Sequence, residues 1–208
     1  MIADRPVIAK ILCLFAAYLI GAIPFGFLLV KLKTGGDIRS SGSGNIGATN
    51  VLRTSGRLAG VITLLLDIAK GFFAVWLAAR LTGANTFWMS AAALAVMAGH
   101  AYPVFLKFRG GKAVASFVGA FAYLAPVPMA AVALLFIGIV AATRFISLGS
   151  LICAGTFPLA VWLILQPPWP LLVSSIAAGA FIVYRHRSNL ERLHRGSEHV
   201  FALGGRKY

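Results

Sequence analysis

The sequence predicts an all-α integral membrane protein with about seven transmembrane helices, one of them short. Of its 208 residues, 60% are hydrophobic and 12% are charged, which is roughly half the charged fraction of an average soluble domain. Several apolar runs reach the ~20 residues that a helix needs to cross a bilayer, and glycine, proline or basic residues separate them. We therefore expect one polytopic membrane domain over residues 1–208.

The candidate spans follow from these runs in chain order. The first run, residues 7–30, is longer than the apolar core of a signal peptide, and no typical small-residue cleavage site follows it. It is therefore expected to remain as a membrane helix, bent near Gly21 and Pro24. Four further candidates cover residues 58–81, 86–106, 145–165 and 169–184.

Residues 112–143 are interpreted as a hairpin of two helices. The motif "APVP" at 125–128 places two prolines near the middle of this stretch, where proline removes a backbone donor and favours a break. The first helix, residues 113–123, is shorter than a normal span. We expect it to be a half-helix that is tolerated in the membrane because protein covers it.

Basic residues set the predicted orientation, because cytoplasmic loops collect Lys and Arg. With the hairpin, the basic segments 31–57, 107–112, 144 and 185–207 all fall on one side of the membrane. The N-terminus is then outside and the C-terminus is cytosolic. The net charge of +14 is thus a topology signal, and no soluble fold is visible that would present it to nucleic acid.

The segment "RSSGSGNIGATNVLR", residues 39–53, is unusually polar for this chain. Its G-x-G-x-x-G spacing lacks the strand–helix context of a dinucleotide site, but glycines let successive N–H groups form a nest that holds phosphate. Arg53 adds a charge suited to bidentate phosphate binding, and the alternative is a flexible linker. The candidate ligands are Gly42, Ser43, Gly44, Asn45, Thr49, Asn50 and Arg53.

A second segment, "GHAYPVFLKFRGGKAVAS", resembles half of a Walker loop. A true Walker motif needs Gly at 106 and Ser or Thr at 113, where this chain has Leu106 and Ala113. Gly110, Gly111 and Lys112 at a helix N-terminus still make an anion site from N–H groups and the helix dipole. The alternative is ordinary positive charge flanking a span, and His100 either joins this site or only hydrogen-bonds near the membrane boundary.

Two further segments carry polar residues at the cytosolic ends of spans. Ser147 either binds substrate or caps a helix. In "YRHRSNLERLHRGSEH", His186 and Asn189 share a helix face and can orient or deprotonate a hydroxyl, whereas the arginines also suit anionic lipid. Glu191 and Arg195 have the spacing of an ion pair.

Within the membrane, Asp67 and Lys70 lie three residues apart on one span and are interpreted as a structural ion pair. Cys13 and Cys153 lie inside apolar runs and are expected to behave as small hydrophobes. No metal-ligand spacing is present and no cofactor is expected.

Together, the ordered motifs "SGSGNIGATNVLR", "GHAYPVFLKFRGGKAVA", "SLGS" and "YRHRSNLERLHRGSEH" resemble the bacterial membrane glycerol-3-phosphate acyltransferases that use acyl phosphate. The resemblance covers essentially the whole chain, and its departure is Ala113, where Gly is expected. It implies an inner-membrane enzyme, with its active site facing the cytosol, that acylates the sn-1 hydroxyl of glycerol 3-phosphate and releases lysophosphatidic acid and orthophosphate.

Our hypothesis for the site divides the polar residues between the two substrates. Ser43, its glycine loop and Ser147 hold acyl phosphate, while Arg53, Lys112, His186 and Asn189 hold glycerol 3-phosphate. The base is His186 or a substrate phosphate oxygen. Positioning and oxyanion stabilisation then supply most of the rate. The rivals are a transporter of a phosphorylated solute, which would carry its polar groups near the midplane, and a non-catalytic lipid-binding scaffold.

Overall fold

The computed structural model describes residues 6–201, and its regular structure over this range is entirely helical. The two 3-10 helices of this range are Ile38–Ser40 and Val104–Leu106. The α-helices are α1 Val7–Ala22, α2 Phe25–Thr34, α3 Ala48–Ser55, α4 Arg57–Thr82, α5 Thr86–Ala101, α6 Val114–Leu124, α7 Pro126–Thr143, α8 Ile146–Leu165, α9 Trp169–Arg185 and α10 Arg187–His194.

Five stretches of the described chain are long and apolar enough to cross a membrane. Their large hydrophobic side chains are often exposed, as Leu134 (71%) and Ile8 (71%) illustrate, which is the surface expected of helices surrounded by lipid. The two shorter apolar helices are Val114–Leu124 and Trp169–Arg185. The five stretches are Val7–Thr34, Arg57–Thr82, Thr86–Leu106, Pro126–Thr143 and Ile146–Leu165.

Both breaks that proline predicts are present. The first apolar run is interrupted at Ile23 and Pro24, between α1 and α2. The second break separates α6 from α7, and Pro126 is the first residue of α7, a position where its missing N–H costs no helical hydrogen bond. The division of 112–143 into two helices is thus confirmed.

The first compact unit of the chain is Met1–Leu124. In it α4 packs against α1, α3, α5 and α6, and α1 packs along α5. The short helix α6 lies so close to α4 that a Cβ built on Gly119 would fall 1.8 Å from the carbonyl oxygen of Ile68. The prediction that protein covers this short helix is confirmed, since Phe117, Ala120 and Phe121 are buried.

The second compact unit is Ala125–Tyr208. Here α8 packs against both α7 and α9, and α10 continues from the end of α9. The Cys153 thiol donates to the carbonyl of Val132, at 3.1 Å, and so joins α8 to α7. Cys13 and Cys153 are both buried, as expected of small hydrophobic residues. The basic residues Arg206 and Lys207 of the predicted cytosolic tail lie outside the described residues.

Candidate active site

The glycine-rich segment 41–50 is organised by the side chain of Asn50. Its amide Nδ2 donates to the carbonyls of Ser41 at 3.0 Å and Asn45 at 2.8 Å, and its Oδ1 accepts the N–H of Ser43 at 2.9 Å. Asn50 is 2% exposed. The segment therefore has a fixed internal network, which a flexible linker would lack.

This network corrects the expected role of Asn50. The sequence predicts a side chain that donates to substrate, but both N–H groups of the Asn50 amide donate to carbonyls of the loop. Gly42 has φ +59°, and a Cβ built on it would lie 2.3 Å from Asn50 Oδ1. Glycine is thus needed at 42 because the Asn50 side chain occupies the space beside it.

The remaining predicted residues of this segment differ in exposure. Ser43 is exposed, whereas Asn45 and Thr49 are half-buried. Asn45 Oδ1 accepts the N–H of Gly47 at 2.8 Å, and Gly47 is the N-cap residue of α3. Gly44 has φ +69°, so the chain turns sharply at both flanking glycines of Ser43, and the Ser43 side chain lies at the surface of the loop.

The two arginines of this segment differ in their partners. Arg39 donates to both carboxylate oxygens of Asp37, with Nη2 at 2.6 Å from Oδ2. This hydrogen bonding lowers the pKa of Asp37 and raises the pKa of Arg39. Arg53, on α3, is exposed and forms no ion pair with any carboxylate of residues 6–201. Its guanidinium is therefore the uncompensated charge of the segment.

The second predicted anion loop folds back on the end of α5. The N–H of Gly110 donates to the carbonyl of Ala101 at 3.2 Å, and the N–H of Gly111 donates to the carbonyl of His100 at 3.1 Å. The expectation that these two N–H groups face a phosphate is therefore wrong. The glycines instead allow close packing, since a Cβ on Gly111 would lie 2.1 Å from His100 Nε2.

Lys112 lies two residues before the first residue of α6, as the predicted lysine turn at a helix N-terminus requires. It is half-buried. Ala113 follows with φ +61° and is fully buried. Because this is the left-handed region that glycine tolerates best, the backbone explains why glycine is expected at this position.

The predicted ion pair within the membrane is present and buried. Lys70 Nζ lies 2.8 Å from Asp67 Oδ1, and His100 Nδ1 lies 3.6 Å from the same oxygen. His100 therefore packs between this pair and Gly111, so it adjoins the second loop, which is the first of its two predicted placements.

In the second unit, His186 and Asn189 are both buried, but only Asn189 lies within α10. His186 joins α9 to α10, and its Nδ1 lies 2.8 Å from the carbonyl of Ile182. Since a carbonyl only accepts, Nδ1 carries the proton and the neutral ring has its lone pair on Nε2. This is the tautomer that a general base acting through Nε2 requires.

Sequence reasoning missed Glu198. Its carboxylate accepts from Asn189 Nδ2 at 2.8 Å and from Arg192 Nε at 2.8 Å. Burial opposes ionisation, but these hydrogen bonds outweigh it and lower the pKa of Glu198. The available signal was the scarcity of acids, because the chain has only five Asp and Glu and this one lies within the basic tail.

Two smaller expectations for this unit are corrected. Ser147 is not a helix cap, because Phe145 is the N-cap residue of α8. The buried hydroxyl of Ser147 lies beside Glu198 and has no hydrogen-bond partner among the described residues. The predicted pair of Glu191 and Arg195 is absent from the described residues, where Arg192 pairs with Glu198 instead. The chain after α10 returns to the turn between α7 and α8, where the Phe201 N–H donates to the carbonyl of Arg144 at 2.7 Å.

The structure thus groups the predicted residues in three clusters. The first is the loop 41–50 with α3, the second is the loop 109–113 with His100, and the third joins Ser147, Asn189 and Glu198. Each cluster combines polar groups with the end of an apolar helix. That arrangement suits polar head groups attached to long acyl chains better than a solute site at the middle of the membrane.

Comparison with known proteins agrees with this geometry. The family model described as glycerol-3-phosphate acyltransferase matches residues 11–196. Curated proteins of that name from Desulforamulus reducens and Geobacter sulfurreducens are 43% and 46% identical over 96% and 89% of this chain, and over 98% and 94% of their own lengths.

Solved structures give the same result. The crystal structure of PlsY, an integral membrane glycerol 3-phosphate acyltransferase, in its glycerol 3-phosphate form has a TM-score of 0.88 and 38% identity, and the match covers 93% of this chain and 96% of that one. Its lysophosphatidic acid form has a TM-score of 0.86 and 37% identity, over 93% and 95%. The chain belongs to the glycerol-3-phosphate acyltransferase family and is an integral membrane enzyme that acylates glycerol 3-phosphate.

Proposed function

We propose that the enzyme transfers the acyl group of an acyl phosphate to the sn-1 hydroxyl of glycerol 3-phosphate. The products are lysophosphatidic acid and orthophosphate. The observation that carries the proposal is the uncompensated Arg53 beside an ordered glycine-rich loop, four residues before the apolar helix α4 begins. The similar crystal structures, a glycerol 3-phosphate form and a lysophosphatidic acid form, support the acceptor and the product.

The reaction is a single acyl transfer. The sn-1 oxygen attacks the acyl carbonyl carbon, a C–O bond forms, and the C–O bond to the phosphate breaks as orthophosphate leaves. The hydroxyl proton passes to His186 Nε2 or to a phosphate oxygen of a substrate. Because acyl phosphate is already an activated anhydride, positioned cations and donors that stabilise the oxyanion suffice for catalysis.

We infer the following roles for the residues. Arg53 and Lys112 neutralise the phosphates, and Ser43 and Thr49 donate to them. Asn50, Gly42, Gly44 and Asn45 shape the first loop, while Gly110 and Gly111 allow the second to approach His100. Asn189 and Ser147 act from the cluster around Glu198. In this scheme Gly110, Gly111 and Asn50 hold the substrate-binding residues in position and do not contact substrate themselves.

We further propose seven membrane crossings, with the N-terminus outside and the active site facing the cytosol. Five long apolar stretches and two shorter helices support this number. The basic segments then lie on one side, in agreement with the charge rule for cytoplasmic loops. In this topology the whole chain acts as one domain in the bacterial inner membrane.

The donor is tested with purified protein in detergent, supplied with glycerol 3-phosphate and an acyl phosphate. Orthophosphate and lysophosphatidic acid should appear in equal amounts, with the acyl group at sn-1 by chemical analysis. Turnover with acyl-CoA or acyl carrier protein but none with acyl phosphate would overturn the donor assignment. Acylation at sn-2 would overturn the regiochemistry.

Two substitutions test the residue roles. Lys112→Ala should abolish turnover, while Lys107→Ala, five residues away at a surface turn, serves as the matched control. His186→Ala should lower the rate by about 10²-fold or more if the imidazole is the base. Full activity in His186→Ala would leave a substrate phosphate as the base.

A further inference from the structure

Asp67, Lys70 and His100 form a buried polar cluster to which the proposed chemistry gives no role. Their exposed fractions are 2%, 5% and 4%. Lys70 Nζ and His100 Nδ1 lie 2.8 and 3.6 Å from the same oxygen, Asp67 Oδ1. Charged groups at membrane depth are energetically expensive, and they are usually paired and functional.

On one side, Lys70 reaches the break between α1 and α2. Its Nζ donates to the carbonyl of Ile23 at 2.8 Å and lies 5.6 Å from the ring centroid of Phe25. The carbonyl of Ile23 lacks its usual helical donor at this break. It accepts the N–H of Phe25 at 3.2 Å, and the Lys70 ammonium adds a charge-assisted hydrogen bond. Lys70 therefore fixes the point at which α2 begins.

The beginning of α2 touches the glycine-rich loop directly. A Cβ built on Gly26 would lie 2.0 Å from the carbonyl oxygen of Ile46, which belongs to the segment that Asn50 organises. The path from Lys70 to this loop is thus a short sequence of contacts through Ile23 and Gly26. A shift of the α2 start would displace Ile46.

On the other side, His100 supports the second loop. The carbonyl of His100 accepts the N–H of Gly111 at 3.1 Å, and its ring lies where a Cβ of Gly111 would be. The ring therefore sets how closely the chain passes before Lys112. Since Asp67 lies beside the Nδ1 edge of this ring, the carboxylate constrains both the lysine and the imidazole.

We propose that Asp67 is a positioning residue that holds both loops in place, through Lys70 for residues 41–50 and through His100 for residues 109–113. The inference rests on the proposed function, in which these loops carry the phosphate-binding groups. It differs from a stability role, because Lys70 and His100 each control a different loop. An ion pair that only stabilised the helices would affect both loops alike.

The test combines amide hydrogen exchange of the full-length enzyme in detergent with steady-state kinetics. Lys70→Met keeps the side-chain length and should speed exchange about tenfold or more in residues 41–50, leaving 109–113 unchanged. His100→Ala should do the reverse, and Asp67→Asn should affect both segments. In each variant the KM for glycerol 3-phosphate or acyl phosphate should rise fivefold or more, with a smaller change in kcat.

Two additional variants keep the test decisive. The double variant Asp67→Asn/Lys70→Met leaves no unpaired charge and reports on both loops if Asp67→Asn does not fold. Ser90→Ala is the control, because Ser90 is a buried polar residue of α5 for which we assign no role, and it should leave both exchange and KM unchanged.

The outcomes separate the inference from the function on which it rests. The inference would be overturned if Lys70→Met and His100→Ala left amide exchange unchanged in both loops. It would also be overturned if each variant accelerated exchange equally in both loops and in the helices. Selective acceleration with unchanged KM for both substrates would uphold it and overturn the assignment of the loops to phosphate binding. If His100→Gln exchanges at the wild-type rate in residues 109–113 while His100→Ala exchanges faster, this would further support positioning of the loop by the side chain at position 100.

Discussion

Replacing Glu198 with Gln should destabilise the second unit and lower turnover. In the structure its carboxylate receives two hydrogen bonds at 2.8 Å, from Asn189 and from Arg192, and its side chain is 7% exposed. Hydrogen bonds to charged groups contribute about 1.5–3 kcal/mol each. Gln keeps one acceptor oxygen, so we expect a loss of about 1.5–3 kcal/mol, whereas Glu198→Ala removes both bonds and should cost about twice as much.

The assay is thermal unfolding of the purified enzyme in detergent, followed by activity. For a chain of this size each kcal/mol corresponds to roughly 2–4 °C in Tm, so Glu198→Gln should unfold several degrees below the wild type. Glu191→Gln is the control, since Glu191 is an exposed acid on α10, the helix that carries Asn189 and Arg192. Equal midpoints for Glu198→Gln and Glu191→Gln would refute the reasoning.

The same residue gives a pH prediction with a defined sign. The pKa of Glu198 is lower in the folded protein than in the unfolded chain because of its hydrogen bonds from Asn189 and Arg192. Its stabilising contribution is therefore complete above the unfolded pKa of about 4.3 and is lost as the pH falls through the folded pKa. The difference in stability between wild type and Glu198→Gln should shrink over that acidic window. A difference that stays constant down to pH 3 would contradict this origin.

Three further predictions concern the first unit. Gly42→Ala should cost more stability than Gly44→Ala, although both residues have positive φ. The new Cβ would lie 2.3 Å from Asn50 Oδ1 at position 42 but 3.2 Å from its nearest neighbour at position 44. Thermal unfolding and the KM for both substrates measure the difference. Ala113→Gly should stabilise by about 0.5–1 kcal/mol by removing left-handed strain, while Ala115→Gly in α6 should destabilise by a similar amount; unfolding midpoints that move in the same direction would contradict this. Arg53→Ala should reduce turnover more than 100-fold, as expected for the loss of about 3 kcal/mol of phosphate stabilisation. Arg39→Ala should reduce turnover less than threefold, because Arg39 is already paired with Asp37. Similar turnover rates in the two variants would refute the distinction.

The helices could be predicted from sequence because they depend on local properties. Apolar length defines the spans, and prolines at 24 and 126 define the breaks. The burial of the short helix α6 could also be predicted, since a half-helix that no protein covers would leave backbone groups unsatisfied in lipid. These inferences need only composition and spacing within about 30 residues.

The hydrogen-bond partners in the site could not be predicted in the same way. An asparagine beside glycines suits substrate and loop carbonyls equally, and only the backbone path shows that Asn50 turns inward. The N–H groups of Gly110 and Gly111 likewise find carbonyls at the end of α5, which requires the chain to reverse after Leu106. The position of the Glu198 carboxylate depends on the segment after α10 returning to the turn between α7 and α8. Residue types predicted the chemistry, but the direction of each donor required tertiary structure.

The distribution of acids gives the site its electrostatic character. Within residues 6–201, Asp37, Asp67 and Glu198 pair with Arg39, Lys70 and Arg192 respectively. Each of these pairs removes a nearby cation from competition for phosphate and fixes a piece of backbone or side chain instead. Because Arg53 has no carboxylate partner among the described residues, its charge is available to a phosphate without first breaking an ion pair. Within residues 39–53, the pairing of Arg39 with Asp37 leaves Arg53 as the cation of the segment whose charge faces no carboxylate of the described residues.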